Sequence, residues 1–269
     1  MPAVLNGRVC IFGAGGPVGA AAAKALKDHY ALRLTDARPI EEVAREGRPQ
    51  SPGAPLPEVL GPPHERRVVD VTDYAQALDA ARGMDALINV TVVRAHPAQA
   101  FRVNAVGAYH VAKAAVACGV RRVIHTGPLY AQPGHEADYW YDFDIPEEAP
   151  IHPGTELYMI TKYLGEQVMR VFAERAGLGV IAFRFSSFRP GDGGDAGEGS
   201  GVRCCTASWE DTGAAFLHAL RAPDMPGRYE AFHICAALPH GKYSPAKAER
   251  LLGWRAKDTF ERLYRRTRP

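Results

Sequence analysis

The chain has 269 residues, 46% of them hydrophobic and 23% charged, enough to bury one large core or one core with a small appendage. Its formal net charge is only +2, and the Lys and Arg residues are scattered rather than gathered on one helix, so it carries no electrostatic footprint of a nucleic-acid binder and a small-molecule partner is expected. Five cysteines, Cys10, Cys118, Cys204, Cys205 and Cys235, lack paired CxxC spacing and read as reduced thiols of a cytoplasmic protein rather than as metal ligands. No basic segment with a following apolar one opens the chain, and no run approaches the ~20 apolar residues of a membrane span.

In chain order, short apolar, β-branched runs alternate with longer stretches of helical period, the sequence form of βαβ units and a parallel sheet. Strands are expected over Arg8–Phe12, Leu32–Asp36, Arg67–Val71, Ala86–Thr91, Val123–Thr126 and Gly179–Phe185. Helices are expected over Val18–Asp28, Tyr74–Arg82, Ala98–Cys118 and Thr155–Ala176. The proline-rich segment Arg38–Pro63 reads as surface loop with room for a short helix over Ile40–Arg45, and Pro190–Gly201 has almost nothing to bury. Past Gly201 the pattern breaks into strand and helix fragments, as a small C-terminal substrate lobe would.

The first strand runs into Gly13-Ala14-Gly15-Gly16-Pro17-Val18-Gly19 and an alanine-rich helix. Gly13, Gly16 and Gly19 fit a GxxGxxG register, which gives a tight turn, close backbone approach to a pyrophosphate, and a helix N-terminus that favours the anion. Pro17 suits the first turn because it lacks an N–H there, and Gly15 and Val18 complete the cradle. Asp36 closes the next strand about 20 residues on, where a carboxylate accepts from both adenosine ribose hydroxyls and repels a 2′-phosphate, so NAD is expected rather than NADP. Asp70-Val71 is placed either to meet the adenine or, through its carboxylate, to cap a helix.

Tyr158 and Lys162 lie four residues apart, hence on one face of a helix. A phenol with a reference pKa of about 10 becomes a useful base at neutral pH when a nearby cation favours its phenolate. Thr126, at the end of the preceding strand, is placed to hold a substrate oxygen, the C-terminal ends of parallel strands being where open α/β sheets bind ligands. With Asn104-x-x-Gly107, the Thr126-x-x-x-Tyr130 strand end, Glu166, Arg184 and the segment Ala248–Trp254, these marks resemble the extended short-chain dehydrogenase/reductases, the NAD-dependent epimerase/dehydratase family, over essentially the whole chain. The resemblance implies a Rossmann doubly wound parallel sheet over residues 1–185, with a small substrate lobe over 186–269 interleaved with it. It further implies Tyr158 as acid/base, Lys162 binding the nicotinamide ribose and tuning Tyr158, Thr126 as third member, and Asn104 helping Lys162 from beneath.

Departures from the family pattern narrow the expectation. Gly127-Pro128 stands where dehydratases carry Asp-Glu, so elimination lacks its acid. Ser187 and the glycine-rich run stand where nucleotide-sugar epimerases hold a diphosphate. Among relatives the chain looks most like the compact uronate dehydrogenases, in which Arg184 would meet a substrate carboxylate bidentately; the competing reading is a brace at the sheet edge. Arg94, Arg189 and Ser187 are further candidates for substrate contact, and the acidic aromatic stretch Asp138–Asp144 lies between Thr126 and Tyr158. The expected activity is hydride transfer from a small sugar or sugar acid to NAD, with a sugar epimerase or a non-catalytic NAD sensor as alternatives. Leu157, Ile160, Leu164, Val168, Val171 and Phe172 form an apolar stripe expected to pack on the sheet. Relatives pair this helix and Ala98–Cys118 across a homodimer, which is expected here too.

Overall fold

The computed structural model describes residues 3–5, 7–48, 53–129, 144–191, 202–203, 205–223, 225–239 and 241–264. Tyr130, the stretch 138–143, the run 192–201 and Cys204 lie outside the described residues. Seven parallel strands form one sheet in the order β3-β2-β1-β4-β5-β6-β9. They are β1 (Arg8–Phe12), β2 (Ala31–Asp36), β3 (Glu65–Val68), β4 (Ala86–Asn89), β5 (Arg122–Pro128), β6 (Val180–Phe185) and β9 (Tyr229–His233). A second pair, β7 (Ser187–Arg189) and β8 (Thr206–Ser208), is also parallel. The chain past Ser186 thus supplies both this small pair and an edge strand of the main sheet.

Helices cover both faces. On one side α1 (Pro17–Leu26) packs against α7 (Trp209–Arg221) through alanines and glycines, small enough for two backbones to approach closely. On the other side α3 (Tyr74–Ala81), α5 (Gly107–Ala117) and α6 (Leu157–Ala176) pack side by side. Two apolar clusters follow, one holding Val9, Ile11, Leu34, Phe183, Phe216 and Trp254, the other Cys10, Phe12, Val111, Val123 and Met169. Successive residues of β1 fall into opposite clusters because strand side chains alternate between faces, and a parallel sheet covered on both faces selects continuous apolar runs. Trp254, fully buried, also donates from Nε1 to the Asp211 carbonyl at 3.1 Å, tying the C-terminal segment to α7.

The sequence pattern misplaces three elements. The third strand spans Glu65–Val68 instead of Arg67–Val71, because its pairing partner β2 ends at Asp36, which sits opposite Val68. The fourth ends at Asn89, where the chain turns away from β1 and β5. The helix expected over Ala98–Cys118 is interrupted: a short α4 (Pro97–Ala100) passes into a π-turn over Phe101–Val106 before α5. Ile40–Glu46 forms the short helix α2, and α8 (Ala246–Leu252) and α9 (Glu261–Tyr264) close the chain.

The apolar stripe of α6 packs inward only in part: Phe172 rests against the second apolar cluster, and none of the six residues is fully buried. The buried residues of α6 are Met159, Thr161, Lys162, Gly165, Glu166, Met169 and Ala173, whereas Leu164 and Val171 are 38% and 54% exposed. Gly165 marks the closest approach, since a Cβ there would stand 2.3 Å from the Asn104 carbonyl oxygen in the π-turn. Gly165→Ala should therefore push α6 away from the π-turn and cost about 1–3 kcal/mol by overpacking. An unchanged urea midpoint would disprove that contact.

Candidate active site

Strand order reverses between β1 and β4, both hydrogen-bonded neighbours of a parallel sheet whose chain winds outward from them in opposite directions. At their C-terminal ends the glycine turn and the chain from Val90 to Val93 line a cavity of about 160 Å³, together with Gly13, Gly16, Asp36, Val69, Asp70, Val71 and Val103. Gly13 adopts φ +88° to make the turn. Gly19 lies so close beneath it that a Cβ would come 2.3 Å from the Gly13 oxygen. Gly16 caps α1 and Pro17 opens it, leaving Val18 and Gly19 in the first turn, where N–H groups have no acceptor within the helix. Val18 also packs on the apolar cluster below.

Asp36 ends β2 beside this turn and accepts from the Gly15 amide at 3.0 Å. The Arg38 side chain points its charge elsewhere, to Glu42 and Glu46. Arg48 reaches back to donate to the Gly15 carbonyl. Asp70 is exposed and accepts from the Thr72 amide at 2.8 Å, a local turn contact that leaves it on the cavity wall; Val71 is buried. This cradle, with a carboxylate at the end of β2 and an uncovered helix start, fits a dinucleotide with free ribose hydroxyls.

Tyr158 and Lys162 sit one turn apart at the start of α6. Lys162 is 3% exposed and donates from Nζ to the Thr91 carbonyl at 3.3 Å, just past the end of β4. Burial pulls its pKa down to about 7, with Glu166 opposing and Arg94 adding to the fall. Burial pushes the half-buried Tyr158 phenol up, and the charge of Arg94 pulls it down. The guanidinium carbon of Arg94 lies 4.2 Å from the centroid of the Tyr158 ring. Thr126 stands two residues before the end of β5, nearly buried, and its hydroxyl donates to the Asn89 carbonyl at 3.4 Å. Asn104 does not reach Lys162: its Oδ1 accepts from the Val93 amide at 2.9 Å, and its Nδ2 donates to the Val93 carbonyl at 2.7 Å and to Thr161 Oγ1 at 2.9 Å.

Arg184, expected either to face a substrate or to brace the sheet, here pairs with the carboxylate of Glu166. Nη2 lies 2.6 Å from Oε1, Nε 3.2 Å from the same oxygen, and both side chains are 4% exposed. Its Nη1 donates to the Glu147 carbonyl at 2.8 Å, and Tyr229 donates to Glu166 Oε1 at 2.6 Å. Ser187 lies in β7 with its amide donating to the Cys205 carbonyl at 3.3 Å.

Sequence reasoning passed over Asn89, His125 and Tyr229. Asn89 and His125 face each other in register, with Asn89 Nδ2 3.3 Å from His125 Nδ1. The available signal was a polar residue ending a run otherwise apolar enough to be buried on both faces. Burial lowers the His125 pKa well below its usual value, with Lys162 adding to the effect, so the ring is neutral.

Residues 9–192 match the NAD dependent epimerase/dehydratase family, and the chain belongs to that family. Its cofactor is NAD, and it is an enzyme of the NAD-dependent dehydrogenase/epimerase class. Among solved structures it is similar to the uronate dehydrogenase from Agrobacterium tumefaciens (21% identity, 96% of this chain and 86% of that one, TM-score 0.74). It is similar also to the glucuronic acid dehydrogenase from Chromohalobacter salexigens (20%, 95% and 86%, TM-score 0.73). A UDP-glucose 4-epimerase from Thermotoga maritima is similar too (16%, 95% and 96%, TM-score 0.69). At these identities the likeness is one of fold. No curated protein sequence matches the chain.

The Arg184–Glu166 pair generates a stability test. Arg184→Met should cost about 3–5 kcal/mol by leaving a buried carboxylate without its cation, whereas Arg184→Met with Glu166→Leu should cost less than the single change. Chemical denaturation of the two variants checks this, and an equal or larger loss in the double variant would refute it.

Proposed function

We propose that the chain is a cytoplasmic NAD-dependent dehydrogenase that oxidises a secondary alcohol or hemiacetal carbon of a small sugar or sugar acid. The observation that carries this reading is the pairing of Tyr158 with Lys162 one turn apart on α6, with Lys162 anchored at the end of β4 beside the glycine cradle. NAD, held by Gly13, Gly15, Gly16, Pro17, Val18, Gly19 and Asp36, with Asp70 and Val71 toward the adenine, supplies the hydride acceptor. Tyr158 takes the proton of the substrate hydroxyl as the C–H bond releases its hydride, leaving a carbonyl or, from a hemiacetal, a lactone. Lys162 holds the ribose. The Thr126 hydroxyl, which here donates to the Asn89 carbonyl, would turn to donate to the substrate oxygen as Tyr158 takes its proton.

For an acidic substrate, the cation next to Tyr158 is Arg94, since Glu166 already neutralises Arg184. Ser187 joins the substrate side from β7. Gly127 gives Glu166 room, a Cβ there lying 3.0 Å from its Oε2, and it removes from β5 the acid that elimination would need.

Incubation of the protein with NAD and a panel of uronates and their parent aldoses should accumulate NADH, and Tyr158→Phe should lower kcat by about 10²–10⁴-fold. Interconversion of epimers without net NADH would replace this reading with an epimerase, and NAD binding without any turnover would replace it with a sensor.

We propose further that two copies associate through the outer faces of α5 and α6. Tyr109 and Val116 recur seven residues apart on α5, Leu164 and Val171 likewise on α6; all four are exposed, and the two helices pack together. Light scattering should show a dimer that becomes a monomer in Leu164→Glu with Val171→Glu. A monomeric parent protein at micromolar concentration would overturn the assembly.

A further inference from the structure

The family resemblance implies Lys162 as the side-chain cation that tunes the phenol. The structure supplies a second one. The chain after β4 carries Arg94 over the Tyr158 ring, 4.2 Å from guanidinium carbon to centroid. The backbone immediately before it is fixed, because Asn104 binds both the amide and the carbonyl of Val93. Arg94 therefore leaves a clamped backbone directly toward the phenol.

Among the described residues, few charged or titratable groups face this corner. Lys162 and Glu166 lie on the same helix as Tyr158, one and two turns on. From β5 comes His125, neutral and buried beside Lys162. From β6 and β9 come Arg184 and Tyr229, both joined to Glu166. From the chain after β4 comes Arg94.

We propose that Arg94 is a positioning residue for Tyr158, providing the permanent positive charge that favours the phenolate. The proposal rests on the reading of Tyr158 as the base. Burial pulls the Lys162 pKa down to about 7, far below that of an ordinary lysine. A guanidinium keeps its charge across the whole working range. Burial raises the Tyr158 phenol, and the described group that lowers it is Arg94. A cation over an aromatic face is attracted by the ring itself, and the attraction grows when the ring carries a phenolate. Lys162 remains as ribose ligand and hydrogen-bond donor to Thr91, with its charge supplemented by Arg94.

Removing the cation raises the phenol pKa, so less phenolate exists at neutral pH, and the deficit disappears above the pKa values of both proteins. Tyrosinate absorbance of the cofactor-free protein measures this directly, the contribution of Tyr158 being the difference between each protein and its Tyr158→Phe version. Arg94→Met should titrate Tyr158 about one unit higher than the parent, equivalent to about tenfold less phenolate at neutral pH. Arg94→Lys should fall between them. With a turned-over substrate, kcat/KM of Arg94→Met should be about tenfold down at neutral pH and recover at high pH.

An unchanged Tyr158 titration in a normally folded Arg94→Met protein would overturn the proposal. So would a loss that is equal at every pH, confined to KM and seen only with acidic substrates, which would leave Arg94 no part beyond its contact with the substrate anion. Failure to find any hydride substrate would overturn the proposed function, yet the absorbance titration would still decide the part played by Arg94.

Discussion

Asn104 grips both backbone groups of Val93, and most of the site is assembled on that grip. The side chain is turned to this task by a π-turn, whose wider winding breaks the register of the helix around it. Val90, Thr91, Val92 and Val93 form one wall of the cofactor cavity, the Thr91 carbonyl receives Lys162, and Arg94 leaves the same backbone toward Tyr158. Without the amide of Asn104, the Val93 N–H and C=O would lose buried partners at a cost of about 1–3 kcal/mol each. The third bond of Asn104, to Thr161, joins this wall to the helix carrying Tyr158 and Lys162. One buried side chain thus ties the wall of the cavity to α6.

The charges beneath the site are arranged around Glu166. Its carboxylate receives Arg184 and Tyr229 by hydrogen bonds and supports the protonated form of Lys162 through space. A carboxylate buried to 4% exposure needs such partners, because desolvation would otherwise neutralise it. The arrangement has a consequence for recognition. Arg184 meets Glu166 through Nε and Nη2 and the Glu147 carbonyl through Nη1, so its charge is already compensated inside the protein. Positive charge beside Tyr158 comes from the exposed Arg94, over its ring.

Where function depends on local spacing, the sequence is readable. The glycine turn, Pro17 at the first helical position, Asp36 at the end of β2 and the i, i+4 placement of Tyr158 and Lys162 all follow from strand and helix periods that neighbours in the chain dictate. The failures share a different physics. The limits of β3 depend on where β2 stops, a fact carried by residues some thirty positions away. The π-turn over FRVNAV has the composition of ordinary helix, and only its packing against α6 at Gly165 distinguishes it. Asn89, His125 and Tyr229 acquire meaning from partners on other strands and helices.

The mixed inner face of α6 explains why hydrophobic periodicity held there only in part and what the fold gains. Periodicity assumes that the apolar side of a helix is the buried one. In α6 the buried side includes Thr161, Lys162, Gly165 and Glu166, which meet the close approach of the π-turn and the buried polar partners Asn104, Thr91 and Arg184. Such a face contributes little apolar burial, and Met159, Met169 and Ala173 supply most of it. Leu164 and Val171 remain exposed, so covering their side by another surface would add apolar burial to this helix. In the proposed dimer that covering presses on the back of the helix whose front holds Tyr158 and Lys162. Under the two proposals, association and catalysis draw on opposite faces of one element.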